Sequence, residues 1–333
     1  MKIIKTIFFV VIILLNNFNY TYAENFESWV ISFKDYAIKK GISKETLDLI
    51  MPKVKFLPKV IKYDRYQPEF YEDTNTYIKK RTSNEKVKKG KNLFNKNTDL
   101  ILNIESKYNV EKELLLSLMG IETNFGNYLG KMDILSSLAT LSFDKRRSKF
   151  FTNELIIILK LIDTGVVDSE VLFGSWAGAF GNFQFMPSTI KNYAIDYNND
   201  DLIDLKSNED SFASAANYIN KLGWNKNNPC FYKVELKDNI PSKYLNTSAK
   251  KIKNKKKFKY FKKYIVNNTN INIDDNLITG IITPDREIVE NSKLLEPAYL
   301  IFDNYELILK WNRSLRFALA VCTLKNKIKN EIQ

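Results

Sequence analysis

The stretch Leu114-Leu115-Leu116-Ser117-Leu118-Met119-Gly120-Ile121-Glu122-Thr123-Asn124-Phe125-Gly126 decides how the chain is read. Six of the eight residues from Leu114 to Ile121 are large and apolar, too many for a helix with a solvated face. A helix that is apolar nearly all round belongs in a core. Glu122 stands seven residues after Leu115, four after Leu118 and three after Met119, so it continues the buried stripe. Ionising a carboxyl group there is costly unless something pairs with it. Gly126 offers a helix stop, which puts Glu122 near a helix end, where a cleft can open. A carboxyl with a raised pKa at the mouth of a cleft is how a general acid is made. A lone glutamate serves as readily as a backbone cap or an arginine's partner, so the rest of the chain has to decide.

The 333 residues include no histidine. That excludes Ser-His-Asp and Cys-His catalysis, histidine-ligated zinc and histidine pH switching. Acid-base work falls to Asp, Glu, Lys, Tyr or Cys. The 44% hydrophobic and 13% aromatic content is that of a globular chain, long enough for one large domain or two. A net charge of +13 suits an anionic partner: nucleic acid, anionic lipid or an acidic cell-wall polymer. No nucleic-acid recognition motif accompanies the charge, so nucleic acid is not expected.

Lys2 and Lys5, the apolar run Ile7 to Leu15 and the small-x-small site Thr21-Tyr22-Ala23 read as a signal peptide over residues 1–23. The run is too short to span a bilayer, no later segment is long and uncharged enough, and no cysteine near the cleavage site offers a lipid anchor. The expectation is a soluble, exported, periplasmic monomer beginning near Glu24. Cys230 and Cys322 are the only cysteines, and either a bridge or two buried thiols fits them.

Residues 24–230 read as mostly helical, 231–290 as a small β-containing insert with a basic stretch over 250–263, and 291–333 as a helical segment. Phe26 to Val54, Tyr71 to Tyr108 and Phe150 to Ile162 carry helical patterns, while Pro68 marks Tyr63 to Phe70 as an ordered loop. Asp196, Asn198, Asp200 and Asp204 fall at positions 1, 3, 5 and 9 of a calcium-type loop. Asp201 replaces the turn glycine and Ser207 the bidentate glutamate, with Asp210 placed to close a longer loop. Ser207-x-x-Asp210 equally resembles a capping box for a helix over Phe212 to Leu222.

Read together, the pieces resemble the lytic murein transglycosylase B family, glycoside hydrolase family 103. The resemblance is carried by Gly41-Ile42-Ser43, Asp64-Arg65 with Gln67-Pro68-Glu69-Phe70, Gly120 to Gly126, Leu138 to Phe143 and Arg146-Arg147. Gly174 to Ala179, Gln184-Phe185-Met186-Pro187-Ser188 and Trp311-Asn312-Arg313-Ser314 complete it. They follow the family's order across nearly the whole mature chain, while residues 231–280 match poorly.

The resemblance implies a mainly α, lysozyme-like catalytic core with additional helices, cleaving the MurNAc–GlcNAc bond of peptidoglycan. It implies one acid, Glu122, protonating the glycosidic oxygen and then taking the proton of the MurNAc 6-hydroxyl to close a 1,6-anhydro ring. That scheme replaces the second carboxylate and the water of ordinary glycosidases. By the same resemblance Ser175, Gln184 and Asn312 orient sugar and acid, and Arg146 and Arg147 meet the anionic lactyl-peptide. Tyr218, Trp311, Phe150, Phe317 and Tyr77 fall at aromatic cleft positions. Trp311, Phe150 and Phe317 replace the commoner tyrosine. Calcium, as a structural ion, is implied at Asp196, Asn198, Asp200 and Asp210 with the Leu202 carbonyl. No cofactor is implied for the chemistry, and the implied partners are glycan strands and other cell-wall enzymes. The competing readings are a hydrolytic muramidase and a non-catalytic wall-binding or scaffold protein on the same fold.

Overall fold

The structure is a computed structural model, and it describes residues 25–66, 72–266, 271–286, 289 and 295–333. The expected signal peptide and the Gln67-Pro68-Glu69-Phe70 motif lie outside the described residues. The described chain is mainly helical and forms two compact units.

Residues 25–66, 129–192 and 199–204 make the first unit. Its centre is the helix Ile134–Phe143, in which every residue from Ile134 to Ser142 is buried. Asp133 starts it by accepting the Ser136 N–H at 2.6 Å. The helices Ser148–Asp163 and Pro58–Arg65 pack against it. Small hydroxyls let other backbone approach the buried helix: Ser136 Oγ and Thr140 Oγ1 accept the N–H groups of Lys55 and Leu57 at 2.9 and 3.0 Å. Phe143 ends the helix in an aromatic cluster with Phe26, Trp29 and Phe56. Tyr63, Asp64 and Arg65, expected in a loop, form the last turn of Pro58–Arg65. Pro58 sits at the start of that helix, where a missing N–H costs nothing.

Residues 72–128, 193–198 and the described part of 205–333 make the second unit. Here the apolar run Leu114 to Ile121 lies in the helix Lys112–Thr123, buried from Glu113 to Gly120. Its main partner is the helix Leu315–Ile332, buried continuously from Leu315 to Cys322. Gly120 permits the close approach: a Cβ there would stand 2.6 Å from the Phe125 ring and 3.2 Å from Leu324. Gly126 does not stop the helix. Asn124 does so two residues earlier, in the left-handed conformation at φ 51° that its short amide tolerates.

The same unit holds a small sheet in the order Phe231–Val234, Ala298–Ile301, Ile278–Ile282, Leu245–Asn246, with Lys256–Lys257 also pairing Ile278–Ile282. Ala298–Ile301 falls in the segment expected to be wholly helical. Four apolar residues bounded by Pro297 and Phe302 are too short for a helix, and as a central strand all four are buried. Beyond it lie the helices Asp303–Trp311 and Leu315–Ile332. A disulfide joins Cys230, just before the first strand, to Cys322 on the last helix, which decides between the two readings of the cysteines.

Candidate active site

Glu122 lies in the last turn of its helix and is half-buried. Its Oε1 accepts a hydrogen bond from the Trp311 indole Nε1–H at 2.9 Å, across 189 residues of sequence. Trp311 closes the helix Asp303–Trp311, because Asn312 turns to extended backbone while its N–H still bonds the Ile308 carbonyl. The indole stacks on Tyr218 at 5.0 Å, and Tyr218 stacks on Tyr193 at 4.2 Å, with rings inclined 23° in both pairs. Tyr218 comes from the helix Asn208–Lys221, and its hydroxyl donates to the Lys310 carbonyl at 3.4 Å. Burial, with the Tyr193 ring adjacent, pushes the Tyr218 hydroxyl up to about 12, so it remains a neutral phenol. Three stacked rings thus hold the indole that binds the carboxyl directly.

Glu122 opens onto a cleft of about 560 Å³, lined also by Lys86, Arg81, Ser83, Asn124 and the exposed Tyr128. A larger cavity of about 650 Å³ elsewhere in this unit, among Asp73, Glu235, Asp285 and Glu296, is lined by no aromatic ring among the described residues. Its Asp285 is already committed to the Thr74 N–H at 3.0 Å and the Arg316 guanidinium at 2.9 Å. The other buried carboxyls are likewise structural. Glu154 accepts the Ser188 N–H at 2.8 Å, and Asp210 accepts the Tyr197 N–H at 2.8 Å. Glu122 is the carboxyl that combines partial burial, an orienting donor and an open cleft.

Within the second unit the structure brings together Glu122, Trp311 and Tyr218. Asn312 follows Trp311 directly and is half-buried. Two aromatic candidates face inward. Phe317 is 4% exposed on the inner face of Leu315–Ile332, so it packs the core and offers no face to a ligand. Tyr77 is 4% exposed with the Arg81 guanidinium 3.5 Å from its ring centroid, so its face is taken. Both pack into the core, as a helical apolar stripe demands.

In the first unit, Ser175 Oγ accepts the Ala179 N–H at 3.0 Å across a tight turn. Gln184, at φ 49°, donates its amide to the Leu129 and Gly181 carbonyls at 3.2 and 3.0 Å. Phe150 is exposed and edge-on to Phe151. Arg146 and Arg147 both clamp Asp64, a carboxylate only 3% exposed, with Arg146 Nε donating to Asp64 Oδ2 at 2.6 Å. A buried charge stripped of its partners costs several kcal/mol, roughly 3–5. The pair is therefore anchored on Asp64.

The calcium candidates fall on a loop with oxygen donors only, the chemistry that suits calcium. Asn199 and Asp201 take the left-handed conformation at φ 60° and 68°, so Asp201 makes the turn its replaced glycine would make. Ser207 caps Asn208–Lys221 by accepting the Asp210 N–H at 3.2 Å, the alternative reading of this spacing. Among the described residues no three His, Cys, Asp or Glu side chains converge as a ready-made metal cage.

Three participants escaped the sequence: Lys86, Tyr193, and the donor role of Trp311. Lys86 is four residues before the buried Gly90 and hence on the inner face of the helix Asn84–Lys96. That spacing was a usable signal, hidden in a lysine-rich run. The pairing of Trp311 with Glu122 leaves no local trace.

Comparison with known proteins gives a consistent result. The sequence family described as Transglycosylase SLT domain matches residues 25–326. The chain is 38% identical over 151 residues to the membrane-bound lytic murein transglycosylase B of Escherichia coli strain K12. That match spans 45% of this chain and 42% of the relative, less than half its length. SltB3 from Pseudomonas aeruginosa, solved in complex with NAG-anhNAM-pentapeptide, superposes with a TM-score of 0.80 at 28% identity, covering 91% of this chain and 79% of that one. Escherichia coli Slt35, solved in complex with calcium, gives 0.75 at 26% identity, covering 91% and 93%. The mainly α, lysozyme-like architecture expected from the sequence is shared with these structures.

Proposed function

The chain belongs to the transglycosylase SLT domain family, and from that premise we propose that it is a peptidoglycan lytic transglycosylase with Glu122 as its single general acid and base. The observation that carries the assignment is the Trp311–Glu122 hydrogen bond at the end of a stacked aromatic wall. An indole nitrogen donates and never accepts. Oε1 is thereby held as the acceptor, and Oε2 carries the proton delivered to the glycosidic oxygen. As the bond to the leaving sugar breaks, the carboxylate formed takes the proton of the MurNAc 6-hydroxyl. That oxygen attacks C1, and the proton regained readies Glu122 for the next cycle. Substrate supplies the nucleophile, so neither a second acid nor a histidine is needed. Ser175, Gln184 and Asn312 are assigned to orienting the sugar, and Tyr218 to supporting the acid.

The test is digestion of purified peptidoglycan followed by mass analysis of the muropeptides. The expected products are one water lighter than a muramidase would release. Hydrated ends would replace this reading with the hydrolytic one, and intact strands bound without cleavage would replace it with the scaffold.

Export to the periplasm is part of the same reading, supported by the charged and apolar N-terminus and by the disulfide, which oxidising compartments favour. None of the helices among the described residues is long and apolar enough to cross a membrane. The loop from Asp196 to Asp210 is assigned to calcium on its donor types and left-handed turn; the Slt35 complex shows the ion suits a relative. Calcium at a hundredfold excess over its dissociation constant is expected to add about 2.7 kcal/mol. That would raise Tm by roughly 5 °C, reversibly with a chelator. An unchanged Tm leaves the loop as a capped turn.

A further inference from the structure

Lys86 lines the Glu122 cleft and has no part in the chemistry above. It projects from the helix Asn84–Lys96, is half-buried, and its Nζ donates to the carbonyl of Gly120, two residues before Glu122. That carbonyl belongs to the last turn of the Glu122 helix, where a cation is favoured. The other cations lining the cleft are matched. Lys80 and Arg81 both pair with Glu72, Arg81 at 3.0 Å, and Lys89 pairs with Glu85 at 2.8 Å. Lys86 has no carboxylate within ion-pair distance among the described residues. A half-buried ammonium in a cleft, hydrogen-bonded to a carbonyl and without an ion-paired carboxylate, is incomplete until an anion arrives.

Resting on the reading of the chain as a peptidoglycan-cleaving enzyme, we infer that Lys86 is the anion-binding residue of this cleft and takes a carboxylate of the peptide borne by the glycan strand. The Arg146-Arg147 pair, to which the sequence resemblance gave this task, is occupied by Asp64. The surroundings fit the assignment. Burial first, then the charges of Arg81 and Lys89, lower the Lys86 ammonium to about 8, against the opposing pull of Glu85. Glu122 and Tyr128 face the same cleft, and Lys327 of the last helix donates to the carbonyl of Thr82, the residue before Ser83 of the lining. An incoming carboxylate would restore the proton affinity that burial removed, so its binding weakens as pH rises through about 8.

The test uses the full chain carrying Glu122→Gln, which binds strands without cutting them. Its dissociation constants are measured for solubilised strands with free peptide carboxylates and for the same strands with those carboxylates amidated. Adding Lys86→Met is expected to weaken binding of the free-carboxylate strands about ten- to a hundredfold at pH 7 and to leave the amidated strands unchanged. Lys86→Arg should keep the preference and abolish its decline between pH 7 and 9.5. Equal losses on both strands would make Lys86 a helix cap only, and no loss would remove it from binding; either overturns the inference. Cleavage by the otherwise unmodified chain is assayed separately. Its absence sinks the proposed function while leaving the carboxylate preference readable.

Discussion

Glu122→Gln is expected to reduce the release of soluble muropeptides by about 10³- to 10⁴-fold, at the upper end of what one acid-base group contributes. The size follows from the residue being used twice per turnover, once as acid and once as base. The substitution is nearly isosteric, and its amide oxygen can still accept the Trp311 indole N–H that Oε1 accepts at 2.9 Å. Packing of the helix Lys112–Thr123 therefore persists, and Tm should move by no more than about 1–2 °C, as for other changes that leave a core filled. Initial rates on peptidoglycan and a thermal melt on the same preparation separate the two effects. Wild-type rates from this variant would remove Glu122 from the chemistry and with it the proposed function.

The second large effect concerns stability. The Cys230–Cys322 bridge closes a loop of 92 residues around the sheet and the helix Asp303–Trp311. Chain-entropy arithmetic for such a loop gives about 4–5 kcal/mol. Replacing both cysteines by alanine is expected to lower Tm by about 10 °C. Reducing the native bond should have a similar effect, with little further loss in the double variant. A melt that ignores reductant would show that the bridge adds nothing to stability.

Legibility of the chain tracked the distance over which each feature is determined. The Glu122 helix is visible because its burial is written in consecutive residues. Its stop was misread by two residues, since Asn124 performs the left-handed turn that Gly126 advertises. Ala298–Ile301 was missed because four apolar residues carry no period of their own; the neighbouring strands make them a strand. The Asp64 partner of Arg146 and Arg147 is hidden from the sequence because it lies some eighty residues away. The resemblance marks Trp311 as an aromatic cleft residue, but its donor role depends on a partner 189 residues earlier. Local pattern supplied the elements, and long-range partners decided what each side chain does.

That same separation bears on when the proposed activity can begin. Glu122 is made early in the chain, whereas its indole donor and the helix packed on its back come from residues 311–332. Contacts closing so long a loop form late in folding. On the proposed function, a partly synthesised or partly folded chain carries the acid without its aim, and cutting competence arrives only when the last helix docks. The bridge at Cys322 then secures that helix where thiols oxidise. With the proposed export, the architecture gives a tool that is assembled at its place of use.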